Sequence, residues 1–488
     1  MNIYEVHTGS WKRYGDNNYF SYKKMAEELL PYVVEMGYTH IELLPVTEHP
    51  FDGSWGYQTT SLFAPTSRYG TPHDFMHFVN ECHKHNIGVI MDFVLSHFPK
   101  DEFGLYEFDG SCLFEYSDPL KQEHKGWGTR VFDYGKNQIR SFLISSVFFW
   151  LEYYHIDGMR LDAVASMLYL DYDRQQGEWA FNEQGSNYNL EAISFLQNLN
   201  KAVLSKHQDV IMIAEESTSF PMVTLPPENG GLGFNYKWNM GWMNDTLKYI
   251  KTDPFFRKEH HNMLTFSIAY AFSENFILPF SHDEVVHGKA SMISKMPGNY
   301  MEKFDSLKTL YAYQIAHPGK KLNFMGNEFG QFIEWNYSKP LDWMLLDYDS
   351  HKHLHTFVKD LNNLYIKSKP LYELDNTYDG FKWTVVDDNT QNILAFTRYD
   401  KEGNSIIAVL NFSRVKREKY EMGVEHSGTY EIIINSANTK YGGFCEDSLP
   451  LRTIEKINHN QRYSLIIDIE GNSALYIKKI KEKNVNAK

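Results

Sequence analysis

The chain has 488 residues, which at roughly 100 to 200 residues per domain makes two to four domains with ample room for a packed core. Lys plus Arg number 48 against 62 for Asp plus Glu, and the resulting net charge of −14 argues against a polyanionic partner such as nucleic acid. Hydrophobic (42%) and charged (23%) shares are ordinary, so the one compositional anomaly is the 16% of Phe, Tyr and Trp.

Short runs rich in Ile, Val and Leu recur, most of them followed by helical periodicity, the pattern of β-α units around a parallel sheet. They predict strands over residues 3–7, 40–46, 89–95, 158–163, 210–215, 276–280 and 322–325, with a weaker one over 234–238. Eight such strands suit a closed (β/α)8 TIM barrel. After the second strand Thr71 can cap a helix and Pro72 can take its first position, while Phe75, Phe78, Val79 and Cys82 follow at i, i+3, i+4 and i+7. That spacing makes Cys82 a core residue rather than a reactive thiol. Residues 98–133 fit neither period and carry Gly104, Gly110, Pro119, Gly126 and Gly128; they read as an insertion over the barrel after strand three. A further helix is predicted over 137–154, with Ile139, Phe142, Leu143, Ser146 and Trp150 on one face.

From about residue 370 alternating runs at 381–386, 392–397, 406–412, 430–434 and 463–467, separated by turn residues, predict an antiparallel all-β domain. The division expected is a barrel of residues 1–370 and a C-terminal β-sandwich of residues 371–488, with the lysine-rich tail 477–488 frayed. Cys82, Cys112 and Cys445 are odd in number and far apart, so they build neither a disulfide framework nor a CxxC site. With no apolar leader core in residues 1–12 and no apolar run long enough to span a bilayer, the expectation is a soluble, cytoplasmic monomer without a membrane partner. The clusters Cys82-His83-His85 and His351-His353-His355 have poor spacing for a shared ion, so no metal or cofactor is expected.

In a parallel barrel, catalytic groups sit where strands end. The third strand ends in DFVLSH (Asp92 to His97), the fourth contains DGMRLDAVAS (Asp157 to Ser166), the fifth ends in MIAEEST (Met212 to Thr218), and the seventh ends in FSHDEVVHGK (Phe280 to Lys289). Arg160 and Asp162 are two apart and share a face, so the guanidinium should hold Asp162 ionised as a nucleophile. Glu215 or Glu216 can then serve as proton donor, kept protonated by its acidic neighbours. A carboxylate paired with a carboxylic acid is what a retaining glycosidase-type reaction requires. A lone Asp or Glu at a strand end is more often a cap or a salt-bridge partner; four together with His97, Arg160 and His282 are harder to explain structurally.

These four segments resemble, in order and content, the short regions that define the α-amylase superfamily. IYEVHTGSW from Ile3, GYQTTSLFAPTSRYG from Gly56, AEEST from Ala214, SHDEVVHGK from Ser281 and FMGNEFGQ from Phe324 are most similar to the bacterial 1,4-α-glucan branching enzymes, nearly throughout the chain. The resemblance implies Asp162 as nucleophile, Glu215 as general acid and base, and Asp283 as transition-state stabiliser. It further implies that Arg160 orients the nucleophile, His97 and His282 contact the sugar, Tyr57 stacks on its ring, and Asp92 supports the site. The choice of Glu215 over Glu216 rests on this resemblance alone. The aromatic excess supplies candidate glucan contacts in Trp55, Tyr57, Trp127, Trp238, Trp335 and Trp343, of which Tyr57 and, more weakly, Trp55 join the site.

The activity implied is transfer of an α-1,4-glucan chain to a 6-hydroxyl, with glycogen or amylose as donor and acceptor. Alternatives are an α-amylase-like hydrolase, a maltooligosyl-trehalose trehalohydrolase and a non-catalytic glucan-binding barrel. Relatives of this kind usually carry one or two β-sandwich modules before the barrel, whereas here the first barrel strand starts at Ile3, so the expectation is a naturally short version, a mis-started reading frame or a fragment.

Overall fold

The computed structural model describes residues 1–480. Eight parallel strands close a barrel in sequence order: β1 (Asn2–Val6), β2 (His40–Leu43), β3 (Gly88–Phe93), β4 (Gly158–Leu161), β5 (Ile211–Ala214), β6 (Tyr236–Trp238), β7 (Phe276–Phe280) and β8 (Lys320–Phe324), with β8 pairing back onto β1. Six predicted strands, those matching β1 to β5 and β8, ran one to three residues too far at the rim end. The reason is local: the chain leaves the ladder there, and Ala163 just past β4 takes a left-handed φ of 50°.

The helix between β2 and β3 spans Pro72–Lys84 with the Thr71/Asp74 capping box closed, and buries Phe75, Phe78, Val79 and Cys82. Burial pushes the Cys82 thiol well up, in keeping with core packing. The second predicted helix spans Asn137–Tyr153. Residues 98–133 are more ordered than their composition suggested, because His97–Pro99, Thr129–Val131 and Glu123–His124 form a small antiparallel sheet. A second excursion, residues 169–189 after β4, was not foreseen. Asp173 Oδ2 accepts from Gly126 N at 2.8 Å, and Arg174 donates to the carbonyls of Lys121 and Glu123, which ties the two excursions into one wall.

Inside the barrel, side chains two apart point the same way and form layers. The lower layer is apolar: Ile3, Ile90, Ile213, Trp238, Ile277 and Leu322 pack together, all at zero exposure. Gly158 belongs to this level, and a Cβ there would come within 2.9 Å of the Ile211 carbonyl and 3.2 Å of Ile90, so its bareness is what lets Ile90 fill the centre.

The C-terminal strands are β9 (Phe381–Val385), β10 (Ile393–Tyr399), β11 (Ser405–Asn411), β12 (Arg417–Val424), β13 (Thr429–Asn435), β14 (Leu451–Arg452), β15 (Tyr463–Ile469) and β16 (Ser473–Lys479). Six form an antiparallel sheet in the order β9-β10-β11-β16-β13-β14, and β12 with β15 forms a ribbon beside it. One face of the sheet packs against the ribbon through Val409, Met422, Leu465 and Ile477. The other face joins the barrel core through Phe396, Ala408 and Tyr476. Arg398 locks that interface, donating to the Ala316 carbonyl at 2.7 Å and to Asp375 at 2.6 Å. The expected fraying from residue 477 is corrected in part, since 477–479 belong to β16 and residues 481–488 lie outside the described ones. Among the described residues no helix is long and apolar enough to cross a membrane.

Candidate active site

Two residues above the apolar layer, the same strands turn polar. Asp92 on β3 is in register with Arg160 on β4, and Arg160 Nη1 donates to both Asp92 oxygens at 2.7 Å. The same Nη1 reaches Asp162 Oδ1 at 2.9 Å, and Nη2 reaches Glu215 Oε2 at 2.7 Å. Three carboxylates thus share one fully buried guanidinium, whose lower face rests on Trp238 at 4.3 Å. The left-handed turn at Ala163 aims its N–H at Glu215 Oε2, 3.0 Å away.

Parity settles which glutamate faces inward. Ile213 lies in the central layer, so Glu215 two residues on shares its side, while Glu216 is buried on the opposite face against Lys237 and Thr218.

The electrostatics differ from expectation at Asp162. Burial pushes its carboxyl well above the usual carboxylate range; Arg160 pulls the other way, and Glu215, Asp92 and Asp283 push it further up. One guanidinium does not by itself ionise a carboxyl surrounded by acids, so the proton belongs to the cluster. At Asp283, by contrast, burial is outweighed by His282, Arg160, Lys289 and His287, which hold its carboxyl below the ordinary value.

His282 stands beside it, Nε2 3.6 Å from Asp283 Oδ1 and 3.2 Å from the Tyr57 hydroxyl, which itself donates to Asp92 Oδ2 at 2.6 Å. Burial opposes a charge on this ring, but Glu5 and Asp283 prevail and the imidazole is pushed up to about 9. His97 differs: burial pushes it down to about 4, and its Nε2–H donates to the Tyr57 carbonyl while Nδ1 takes the Ser96 hydroxyl. Both His97 nitrogens are therefore engaged within the protein.

Trp55 and Tyr57 flank Gly56, whose φ is +95° and whose Cβ, if present, would lie 2.3 Å from the Pro45 carbonyl. That turn presents the Tyr57 ring stacked on His282 and the Trp55 ring stacked on His287. The cleft over these groups has a volume of about 520 Å³ and brings together Trp55, Tyr57, His97, Asp162, Glu215, His282 and Asp283. Arg160 and Asp92 lie beneath it.

Of the other aromatic candidates, Trp127 lines the cleft from the wall, packed between His97, His124 and Tyr172. Trp335 supports Trp55 from behind. Trp238 is sealed in the lower layer and Trp343 packs on Trp11, so neither reaches the cleft. Glu328 is likewise remote, buried with its Oε1 accepting from Tyr4 and Tyr32. Sequence reading missed Glu5, which holds His282, and Tyr172. For Glu5 there was a signal: an acid at the inward parity of Ile3, set between Tyr4 and Val6. Among the described residues no group of three or more His, Cys, Asp or Glu is placed to hold a metal ion.

A closed parallel barrel with an acid cluster at its C-terminal rim and an antiparallel β domain behind it defines the class. Residues 25–118 and 128–418 match the family model of the α-amylase catalytic domain, and residues 383–480 match the α-amylase C-terminal all-β domain. The chain belongs to the α-amylase family and, within it, to the 1,4-α-glucan branching enzymes. It is 52% identical over 482 residues to the branching enzyme GlgB of Halothermothrix orenii and 53% identical over 482 residues to that of Aquifex aeolicus, in each case 98% of this chain and 76% of the relative. With GlgB of Marinobacter nauticus the identity is 53% over 91% of this chain and 70% of the relative. An α-amylase of Geobacillus thermoleovorans solved with acarbose superposes with a TM-score of 0.70 at 15% identity, over 99% of this chain and 98% of that one. That likeness speaks for the fold alone.

Proposed function

We infer that the chain is a glucan branching transglycosylase, which cuts an α-1,4-glucan with retention and passes the cut chain to a 6-hydroxyl, making the α-1,6 branches of glycogen. What carries the reading is its likeness to branching enzymes over 98% of the chain. The site supplies a matching chemistry.

With the cluster's shared proton on Glu215, Asp162 acts as the carboxylate; Arg160 engages it through Oδ1, which leaves Oδ2 to attack C1 of the donor sugar. As the C1–O bond breaks, Glu215 gives its proton to the departing oxygen; its Oε2 is already held by Arg160 and the Ala163 N–H, so Oε1 is the oxygen to carry it. The glycosyl-Asp162 intermediate is then attacked by the acceptor 6-hydroxyl, whose proton returns to Glu215, and Asp162 is released. Asp283, ionised and reaching into the cleft, holds sugar hydroxyls in the oxocarbenium-like state. His282 sits beside it, Tyr57 and Trp55 pack on sugar rings, and His97 offers its ring. Asp92 keeps Arg160 and Tyr57 in place.

The enzyme's donor and acceptor are both α-1,4-glucan, and we take it to act as a cytoplasmic monomer. Its three cysteines are all free, as a reducing compartment would leave them. We assign residues 1–370 to the catalytic barrel and 371–488 to the C-terminal domain, supported by the last barrel helix ending at Lys367 and β9 starting at Phe381. The test is amylose treated with purified protein and then debranched. New short chains are expected; none would sink the branching reading, and steady growth of reducing ends or release of trehalose would favour the hydrolytic ones.

A further inference from the structure

Under the cleft, two glutamates face one another across the first two strands. Glu5 on β1 is in register with Glu42 on β2, and both are fully buried. Their surroundings are unlike. Glu5 Oε2 accepts from the His282 backbone N–H at 2.8 Å, and its Oε1 accepts from His282 Nδ1 at 2.6 Å. Neither oxygen of Glu42 has a hydrogen-bond partner among the described residues. Burial, then Glu5 and Asp92, push Glu42 well above the carboxylate range, so it is carried as the neutral acid. One glutamate works as an acceptor for two donors, and its neighbour has none.

We propose that Glu5 is a positioning residue: its two-oxygen grip from β1 fixes the His282 ring with Nε2 aimed at Asp283 and Tyr57, and supplies the counter-charge for an imidazolium there. This rests on the reading above, in which His282 touches the sugar beside the scissile bond. The titratable and charged groups facing His282 are Glu5, Glu42, Asp92, Arg160, Tyr57, His7 and Asp283. Of these, Glu5 is the largest favourable influence on the charge, ahead of Asp283, while burial and Arg160 oppose it. Because the folded value lies above that of a free imidazole, the charge is complete at neutral pH and is lost as pH rises through about 9.

The experiment is the pH profile of kcat/KM for branching of amylose, in wild type, Glu5→Gln, Glu5→Asp and Glu42→Gln. It is paired with an NMR titration of 15N-histidine-labelled protein in which His282 is assigned through His282→Gln. Wild type should lose activity as pH rises through about 9. Glu5→Gln should move that limb toward acid by about two units, so that kcat/KM drops about tenfold at pH 8 yet stays within about threefold at pH 6. Glu5→Asp should restore most of the limb, and Glu42→Gln, which replaces a neutral acid by a neutral amide, should leave it in place. A Glu5→Gln enzyme slower by the same factor at every pH would overturn the proposal. So would a wild-type His282 that titrates at the ordinary imidazole value, a result that also decides the matter if Glu5→Gln does not fold. A wild type that makes no branches defeats the functional reading instead, and the titration still judges Glu5.

Discussion

The lower and upper layers of the barrel interior lie on the same strands, two residues apart, and have opposite chemistry. Ile3 precedes Glu5, Ile90 precedes Asp92, and Ile213 precedes Glu215. The lower layer is close-packed and dry, the kind of core that stabilises through burial. The upper layer places acids where water has been removed, and each is tolerable only because Arg160, His282 or a retained proton offsets its charge. Stability and chemistry are thus separated by one pleat, and substitutions on the two levels should have separable effects.

The sharpest separation is at Asp162. Asp162→Asn should lower branching turnover by on the order of 10^4-fold or more while the unfolding midpoint stays within a few degrees of wild type, read by debranched chain analysis and calorimetry. A midpoint that collapsed with the activity would mean the upper layer is structural after all. Next in size is Arg160→Met, which leaves Asp92, Asp162 and Glu215 without their shared cation and should cost about 3 to 5 kcal/mol in urea unfolding, with activity lost as well.

A third test uses a buried polar group that, like Glu42 and unlike Asp92, Asp162 or Glu215, is unpaired among the described residues. His124 sits behind Trp127 with neither ring nitrogen hydrogen-bonded among the described residues, and burial, then His97 and Arg174, push it down to about 3. Its folded value lies below the unfolded one, so it drains stability as pH falls from about 6.5 toward 3. His124→Phe should flatten that acid slope by up to about 1.4 kcal/mol per pH unit, and an unchanged slope would show the ring is not held neutral. The smallest effect belongs to the lower layer: Ile213→Val should cost about 1 kcal/mol and leave kcat within about twofold.

Much of this was legible in the chain itself. Hydrophobic runs and a helix cap gave eight strands and two of the helices between them, since a strand buried on both faces needs a continuous apolar run and Thr71-Pro72 starts a helix unaided. The rim residues were legible because carboxylates lie at the ends of the third, fourth, fifth and seventh strands. Strand ends were not, because local turns such as that at Ala163, rather than any period, set where the chain leaves the ladder. Glu42 and Glu5 passed unnoticed for a related reason: an acid inside an apolar run reads as an exception until its neighbours across the sheet are known.

By itself, then, the sequence determined which groups are available and on which strands, because periodicity and strand-end position are local properties. Only the tertiary structure decided their states. That Asp162, Asp92 and Glu215 share one guanidinium, that Glu215 rather than Glu216 turns inward, and that Glu5 charges His282 while Glu42 stays neutral all depend on closing the barrel. Closure brings β1 against β8 and removes water from the centre, and a charge's cost in that interior is set by neighbours hundreds of residues away along the chain.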